Sequence, residues 1–207
     1  MTAFIERNVT GYGSFVVKLD EGVFRTILDV ERVSGSLIIK MHAGPCEFSS
    51  RLVAEHGAKV TCCFRDPRAV ILSAMDHGKR TRAGGDASGA FAAILSAADA
   101  ADAFQHWFEI YSGWQRHGQG HMMAYEALMK YPLEQLGEMR DFLGSMVSDD
   151  GVSCIFEENE RGKAKAWNFN RGDSGRWRSE LSPEDLTIIE DRLGACIVAM
   201  GYELVTQ

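Results

Sequence analysis

The feature that most constrains this chain is a recurring join, in which a short apolar run passes within a few residues into a helix start. Lys59–Phe64 (KVTCCF) runs straight into Arg65-Asp66-Pro67, where Asp66 suits a helix N-cap and Pro67 the first helical turn. Ser36–Met41 (SLIIKM) is a similar run, followed by a helical pattern over Glu47–His56 that Gly57 closes. Gly120–Ala124 (GHMMA) repeats the join, with a helix opening over Tyr125–Met129. Upstream, Ser14–Leu19 reads as a short β-branched strand. Glu21–Val33 then sets Val23, Phe24, Ile27, Leu28 and Val30 at helical spacing. Strands alternating with helices predict an α/β fold with a mostly parallel central sheet flanked by helices.

The remaining segments fill in this plan. His77–Ala90 is dominated by small and charged residues and holds four glycines, which predicts a mobile surface loop. Phe91–His117 is a long helical pattern rich in alanine and aromatics, and Leu133–Met146 is another amphipathic helix. Asp149–Arg161 gives no clear assignment, and Lys163–Arg178 is basic, with glycine and tryptophan but no period. Ser182-Pro183-Glu184-Asp185 predicts a helix start, with Ser182 as N-cap and Pro183 at the first position, and that helix ends near Gly201. No internal repeat divides the 207 residues, so the expectation is one domain over 1–207.

Composition excludes several classes. With 45% hydrophobic residues the chain can build a core, and no run of about 18 apolar residues is present to span a membrane. Met1–Asn8 lacks the basic start and apolar centre of a secretory signal. A net charge of −7 argues against a nucleic-acid binder, yet still allows a cationic cleft. The five cysteines (Cys46, Cys62, Cys63, Cys154, Cys196) form no CxxC pair, and the six histidines form no HExxH. We therefore expect reduced thiols, no metal site and a cytoplasmic location.

Chemistry gathers after the apolar runs, where open α/β sheets bind ligands. In Lys40-Met41-His42 alternation puts Lys40 and His42 on one side of the chain, a base beside a cation. The same pair also suits a half-buried strand end with a satisfied histidine. Arg65 precedes a helix N-terminus, whose free amides and dipole favour an anion, and Ser73 lies two turns on. Alternatively, Arg65 pairs with Asp66 or a surface carboxylate at a plain helix cap. Asn170–Arg178 (NRGDSGRWR) combines Arg171, Arg176 and Arg178 with Gly172 and Gly175, either a ligand loop or an exposed turn.

Taken together these segments resemble the sulfotransferase family, which uses 3′-phosphoadenosine 5′-phosphosulfate (PAPS) as donor. The resemblance covers Ser36 to Tyr202. Arg65–Ser73 is similar to the family's donor 3′-phosphate motif, and Lys40–His42 to its KTH strand end. Tyr125–Leu128 with Pro132 and Phe142–Gly144 is similar to its YEDL…P…FLG stretch, and Gly172–Arg178 to its late GxxGxW loop. The resemblance implies a P-loop-type three-layer fold and transfer of a sulfuryl group to a hydroxyl or amine of a small-molecule acceptor. It implies roles for His42 as base and Lys40 on the transferring group. Arg65, Ser73, Arg171 and Gly172 would hold the 3′-phosphate, and Tyr125 would lie on the adenine side. Asn170 stands where many members carry a further arginine.

One departure stands out. The family's PKSGTTW-type loop, which grips the donor's 5′-phosphosulfate, is not found. Gly11-Tyr12-Gly13-Ser14 comes nearest but lacks a lysine and a preceding apolar strand. The expectation is an N-terminally shortened fold, with an exposed sheet edge that invites homodimerisation. The alternative is a non-catalytic relative that binds a nucleotide or a partner. A phosphotransferase of the same fold would want a GxxxxGK[ST] segment, and none is present. Trp107, Phe108, Tyr111 and Trp114 suit either an acceptor pocket or plain core.

Overall fold

The computed structural model describes residues 16, 18–34, 37–86, 89, 91–163 and 173–205. In chain order the helices are α1 (Glu21–Ser34), α2 (Glu47–His56), α3 (Pro67–Ala83), α4 (Ala97–His117), α5 (Tyr125–Lys130), α6 (Pro132–Leu143), α7 (Asp149–Lys163), the single turn α8 (Trp177–Glu180) and α9 (Pro183–Ala199). Strands β1 (Val60–Phe64) and β2 (Gly120–Ala124) are neighbours in one sheet. The chain between them crosses over through α3 and α4, the long connection that a parallel pair needs. The α/β plan read from the sequence is thus present. Contacts group the chain into two compact units. One holds the described residues up to Val60 together with Glu109–Gly120; the other holds Thr61–Phe108 and the described residues from His121 onward.

In the first unit the core is Leu19, Phe24, Ile27 and Leu52, with Leu37, Ile39 and Met41 packed against it. Those last three alternate, while Ile38 between them is 78% exposed. The segment is therefore extended with one face buried. Of the strands expected over Ser14–Leu19 and Ser36–Met41, Ser14, Phe15, Val17 and Ser36 lie outside the described residues, and the described ones include one parallel bridge between Val16 and Met41. Val16 donates its N–H to the Lys40 carbonyl at 2.9 Å and accepts from the His42 N–H at 3.0 Å. Trp114 donates its indole N–H to the Ala43 carbonyl at 2.9 Å, and Ser50 Oγ lies 2.9 Å from His117 Nε2.

In the second unit local sequence sets the helix starts. Asp66 accepts from the Arg68 N–H at 3.0 Å, and Pro67 follows at the first position. Ser182 accepts from the Asp185 N–H at 3.0 Å, and Pro183 follows. α9 buries Ile189, Leu193 and Ile197 completely, spaced one turn apart. Each such side chain contributes about 1.5–3 kcal/mol of burial. α3 packs on α9 and on α8, and Trp177 of α8 sits against Ala69 and Leu72.

A buried ion-pair cluster fastens these elements. Arg68 is 2% exposed. Its guanidinium forks onto Asp66 (Nε to Oδ1 3.0 Å, Nη2 to Oδ2 3.0 Å), and Nη1 reaches Glu190 Oε1 at 2.6 Å and the Glu203 carbonyl at 2.8 Å. Glu190 also accepts the Val205 N–H at 3.1 Å. Burial by itself would lower the Arg68 pKa, but hydrogen bonds and charge from Asp66 and Glu190 outweigh it and raise the pKa. Arg68, rather than Arg65, is the arginine that pairs with Asp66.

Two segments differ from the sequence reading. The loop expected over His77–Ala90 is helical as far as Ala83, because Lys79 and Arg80 lie on its exposed face while Gly78 is buried. A Cβ at Gly78 would sit 2.3 Å from the Phe91 carbonyl oxygen and 3.1 Å from that of Ile94. Arg82 binds the Ala92 and Ile94 carbonyls at 2.8 and 2.7 Å, and Phe91 takes a left-handed φ of 62°. The turn before α4 is thereby pressed onto α3, and α4 begins at Ala97 rather than Phe91. The unassigned Asp149–Arg161 stretch is helix α7.

Two substitutions test this packing by chemical denaturation. Arg68→Ala strands two buried carboxylates and is expected to cost about 3–5 kcal/mol. Gly78→Ala improves helix propensity by about 1 kcal/mol, yet overpacking is expected to reverse the sign and destabilise by about 1–3 kcal/mol.

Candidate functional site

Arg65 is the first residue after β1, and two distant parts of the sequence converge on it. Its guanidinium carbon lies 4.5 Å from the centre of the Tyr125 ring, at the start of α5. Its Nη2 donates to the Asp173 carbonyl at 2.8 Å. Its Nε is buried and has no hydrogen-bond partner among the described residues. A donor in that state is costly unless something accepts from it, and an anionic oxygen is the acceptor that best matches a guanidinium. The residues present therefore fit an anion.

The end of the late loop is fastened beside this point. Arg176 pairs with Asp76 of α3 at 2.7 Å and with Glu180 at 2.6 Å, and those contacts hold its pKa above the ordinary value. Trp177 is buried, with the Arg68 and Arg178 guanidinium carbons 3.9 and 4.4 Å from its ring centre. Arg176 and Arg178, candidate ligand arginines in the sequence, are thus committed to a carboxylate pair and to Trp177. Asn170, Arg171 and Gly172 lie outside the described residues. Ser73 is half-buried in α3, and no hydrogen bond joins it to Arg65.

Lys40 and His42 belong to the first unit. They flank Met41, which faces the core, so both occupy the opposite side of the extended segment, as alternation predicted. Lys40 is exposed and His42 half-buried. Burial and then the Lys40 charge lower the His42 pKa below its ordinary value. The imidazole is consequently neutral at physiological pH and able to accept a proton. Of the aromatic quartet on α4, Phe108, Tyr111 and Trp114 are buried and Trp107 is partly exposed.

Sequence reasoning missed two contributors. Glu126 accepts the Asp66 N–H at 3.2 Å and the Tyr202 hydroxyl at 2.7 Å, although only its neighbour Tyr125 was singled out. A glutamate in the first turn after an apolar run was the available signal. Asp76, which anchors Arg176, carried no local signal, because its partner is one hundred residues away. On β1 burial and the neighbouring Cys63 raise the Cys62 thiol to about 11, while partial burial and the Glu126 charge raise Cys63.

An arginine with an unpartnered buried Nε, between a strand end and a helix start in an α/β fold, is an arrangement that suits an anionic ligand such as a phosphate. The model of the sulfotransferase domain family matches residues 4–196, and the chain belongs to the sulfotransferase family, a family of transferases. That match begins well ahead of the motif-bearing segment at Ser36 and runs through both compact units. Among solved structures, mouse sulfotransferase SULT7A1 complexed with PAP matches with a TM-score of 0.61 at 17% identity. The match covers 98% of this chain and 85% of that one. At that identity the likeness establishes the fold. No curated protein matches the chain. No helix among the described residues is long and apolar enough to cross a membrane.

The His42 environment is testable by NMR titration. Its midpoint is expected below the ordinary value of about 6.5. Lys40→Met removes one of the two lowering causes, so the midpoint should move up while staying under the ordinary value, since burial persists. A midpoint unchanged by Lys40→Met would exclude the charge effect.

Proposed function

We propose that the chain transfers a sulfuryl group from PAPS to a hydroxyl or amine of a small-molecule acceptor. The observation that carries the reading is Arg65, at the strand–helix join, with a buried Nε that lacks an acceptor. Membership of the sulfotransferase family supports the reaction class, and the PAP complex of the mouse neighbour supports the nucleotide. The donor supplies an activated sulfuryl group, and the remaining demands fall on the chain's own side chains.

In this reading Arg65 and Ser73 hold the 3′-phosphate, with Arg171 and Gly172 closing over it, and Tyr125 lies towards the adenine. His42 takes the acceptor's proton as the acceptor oxygen or nitrogen bonds to sulfur and the bond from sulfur to the donor's 5′-phosphate oxygen breaks, with PAP leaving; the role suits an imidazole kept neutral by burial and by Lys40. Lys40 offsets negative charge that develops on the transferring group. Catalysis then consists mostly of positioning and electrostatic stabilisation, as in phosphoryl transfer.

Calorimetry with 3′-phosphoadenosine 5′-phosphate (PAP), followed by assay with PAPS, tests this. Arg65→Ala is expected to weaken PAP binding by about 1.5–3 kcal/mol, the scale of a hydrogen bond to a charged group. His42→Ala should abolish turnover and leave PAP affinity nearly intact. PAP binding with no turnover against any acceptor panel would favour the non-catalytic nucleotide-binding alternative. Absence of PAP binding by the wild-type chain would overturn the assignment of Arg65 and Ser73.

A further inference from the structure

We infer that Glu126 is a positioning residue for Arg65, locked in place by Tyr202. The argument starts from the helix cap. Asp66 is the N-cap of α3, and its side chain is used by the Arg68 N–H and guanidinium. Its own N–H lies outside the helix and needs an acceptor. In a capping box a Glu or Gln at the third helical position reaches back to that N–H. Here the third helical position is Ala69, which has nothing to offer. Glu126 of α5 supplies the acceptor from another element, with Oε1 3.2 Å from the Asp66 nitrogen.

That N–H belongs to the peptide joining Arg65 to Asp66, so Glu126 fixes the plane from which the Arg65 side chain departs. The neighbouring residue, Tyr125, lays its ring under the Arg65 guanidinium. Two consecutive residues of α5 thus hold Arg65 at its backbone and at its tip. Tyr202 completes the lock. Its hydroxyl donates to Glu126 Oε2 at 2.7 Å, and its ring meets Phe64, the residue before Arg65, edge-on at 6.3 Å. Phe64, Arg65 and Asp66 are each held by a different group, which leaves the Arg65 guanidinium little freedom at the strand end.

The nucleotide arm of the test rests on the assignment of Arg65 to the donor phosphate; the other arm does not. In the first arm, hydrogen exchange of the Asp66 amide and the Arg65 Nε–H resonance are followed by NMR in the nucleotide-free chain. Glu126→Ala should speed Asp66 exchange about tenfold, the scale of a lost charged hydrogen bond, and shift the Arg65 Nε–H signal. Glu126→Gln keeps an oxygen for the amide and should restore both readouts. Tyr202→Phe should fall between. Exchange at Ile189 reports global stability and should be unchanged. Unaltered Asp66 exchange or Arg65 signal in Glu126→Ala, or equal losses in Glu126→Gln, would overturn the inference. In the second arm Glu126→Ala should weaken PAP binding about fivefold, with recovery in Glu126→Gln. Full PAP affinity in Glu126→Ala, alongside a loss in Arg65→Ala, also overturns it. If the wild-type chain does not bind PAP, the donor assignment fails, and the NMR arm still decides the positioning role.

Discussion

The buried fork between Arg68 and Asp66, extended to Glu190, is the constraint from which the second unit follows. A guanidinium out of water must be matched by charge and hydrogen bonds on nearly every donor. Asp66 meets that demand and caps α3 at the same time, so the register of the helix and the position of the arginine are set together. Glu190 brings α9 to the same point, and the Glu203 carbonyl and Val205 N–H bring the segment after it. Because Asp66 and Arg68 turn inward, Arg65 is left to face Tyr125 and Asp173. One four-residue stretch, Arg65-Asp66-Pro67-Arg68, therefore separates an arginine held by carboxylates from one whose Nε keeps no acceptor among the described residues.

Much of this was legible in the sequence where the signal was local. The Asp-Pro and Ser-Pro helix starts, the end of α2 at Gly57, and both strands β1 and β2 were read close to where they stand, whereas α6 ends at Gly144, short of the Met146 expected. The misread places depended on distant partners. Lys79, Arg80 and Arg82 look like loop residues until the Phe91 turn is known to lie on Gly78. The run Ser36–Met41 looks doubly buried until its alternation is seen to bury one face. Among the candidate site residues, Arg65, Lys40 and His42 were singled out by type and neighbourhood. The carboxylate that orients Arg65 was not, because Glu126 is 60 residues away.

The site residues solve opposite electrostatic problems. Arg65 must keep a donor available, and the supports around it satisfy its neighbours without neutralising it: an aromatic face, a carbonyl and a carboxylate that spends its oxygens on an amide and a phenol. His42, proposed as the base, is instead biased towards its uncharged form. Partial burial achieves that, and Lys40 reinforces it while adding a cation of its own. A net charge of −7 on the whole chain is compatible with both, since the acidic side chains near Arg65 are engaged in bonds.

The paired cysteines of β1 bear on the same electrostatics. Cys62 and Cys63 stand three and two residues before Arg65, and ionisation of either would place a negative charge beside the group that welcomes an anion. Burial and the neighbouring Cys63 push the Cys62 thiol up to about 11, and partial burial with the Glu126 charge raises Cys63 as well. Sulfur is polarisable and compact, so at Cys62 the strand fills its space with an atom that remains electrically silent well into the alkaline range. The attraction of the strand end for an anion is thereby insulated from the thiols nearest to it.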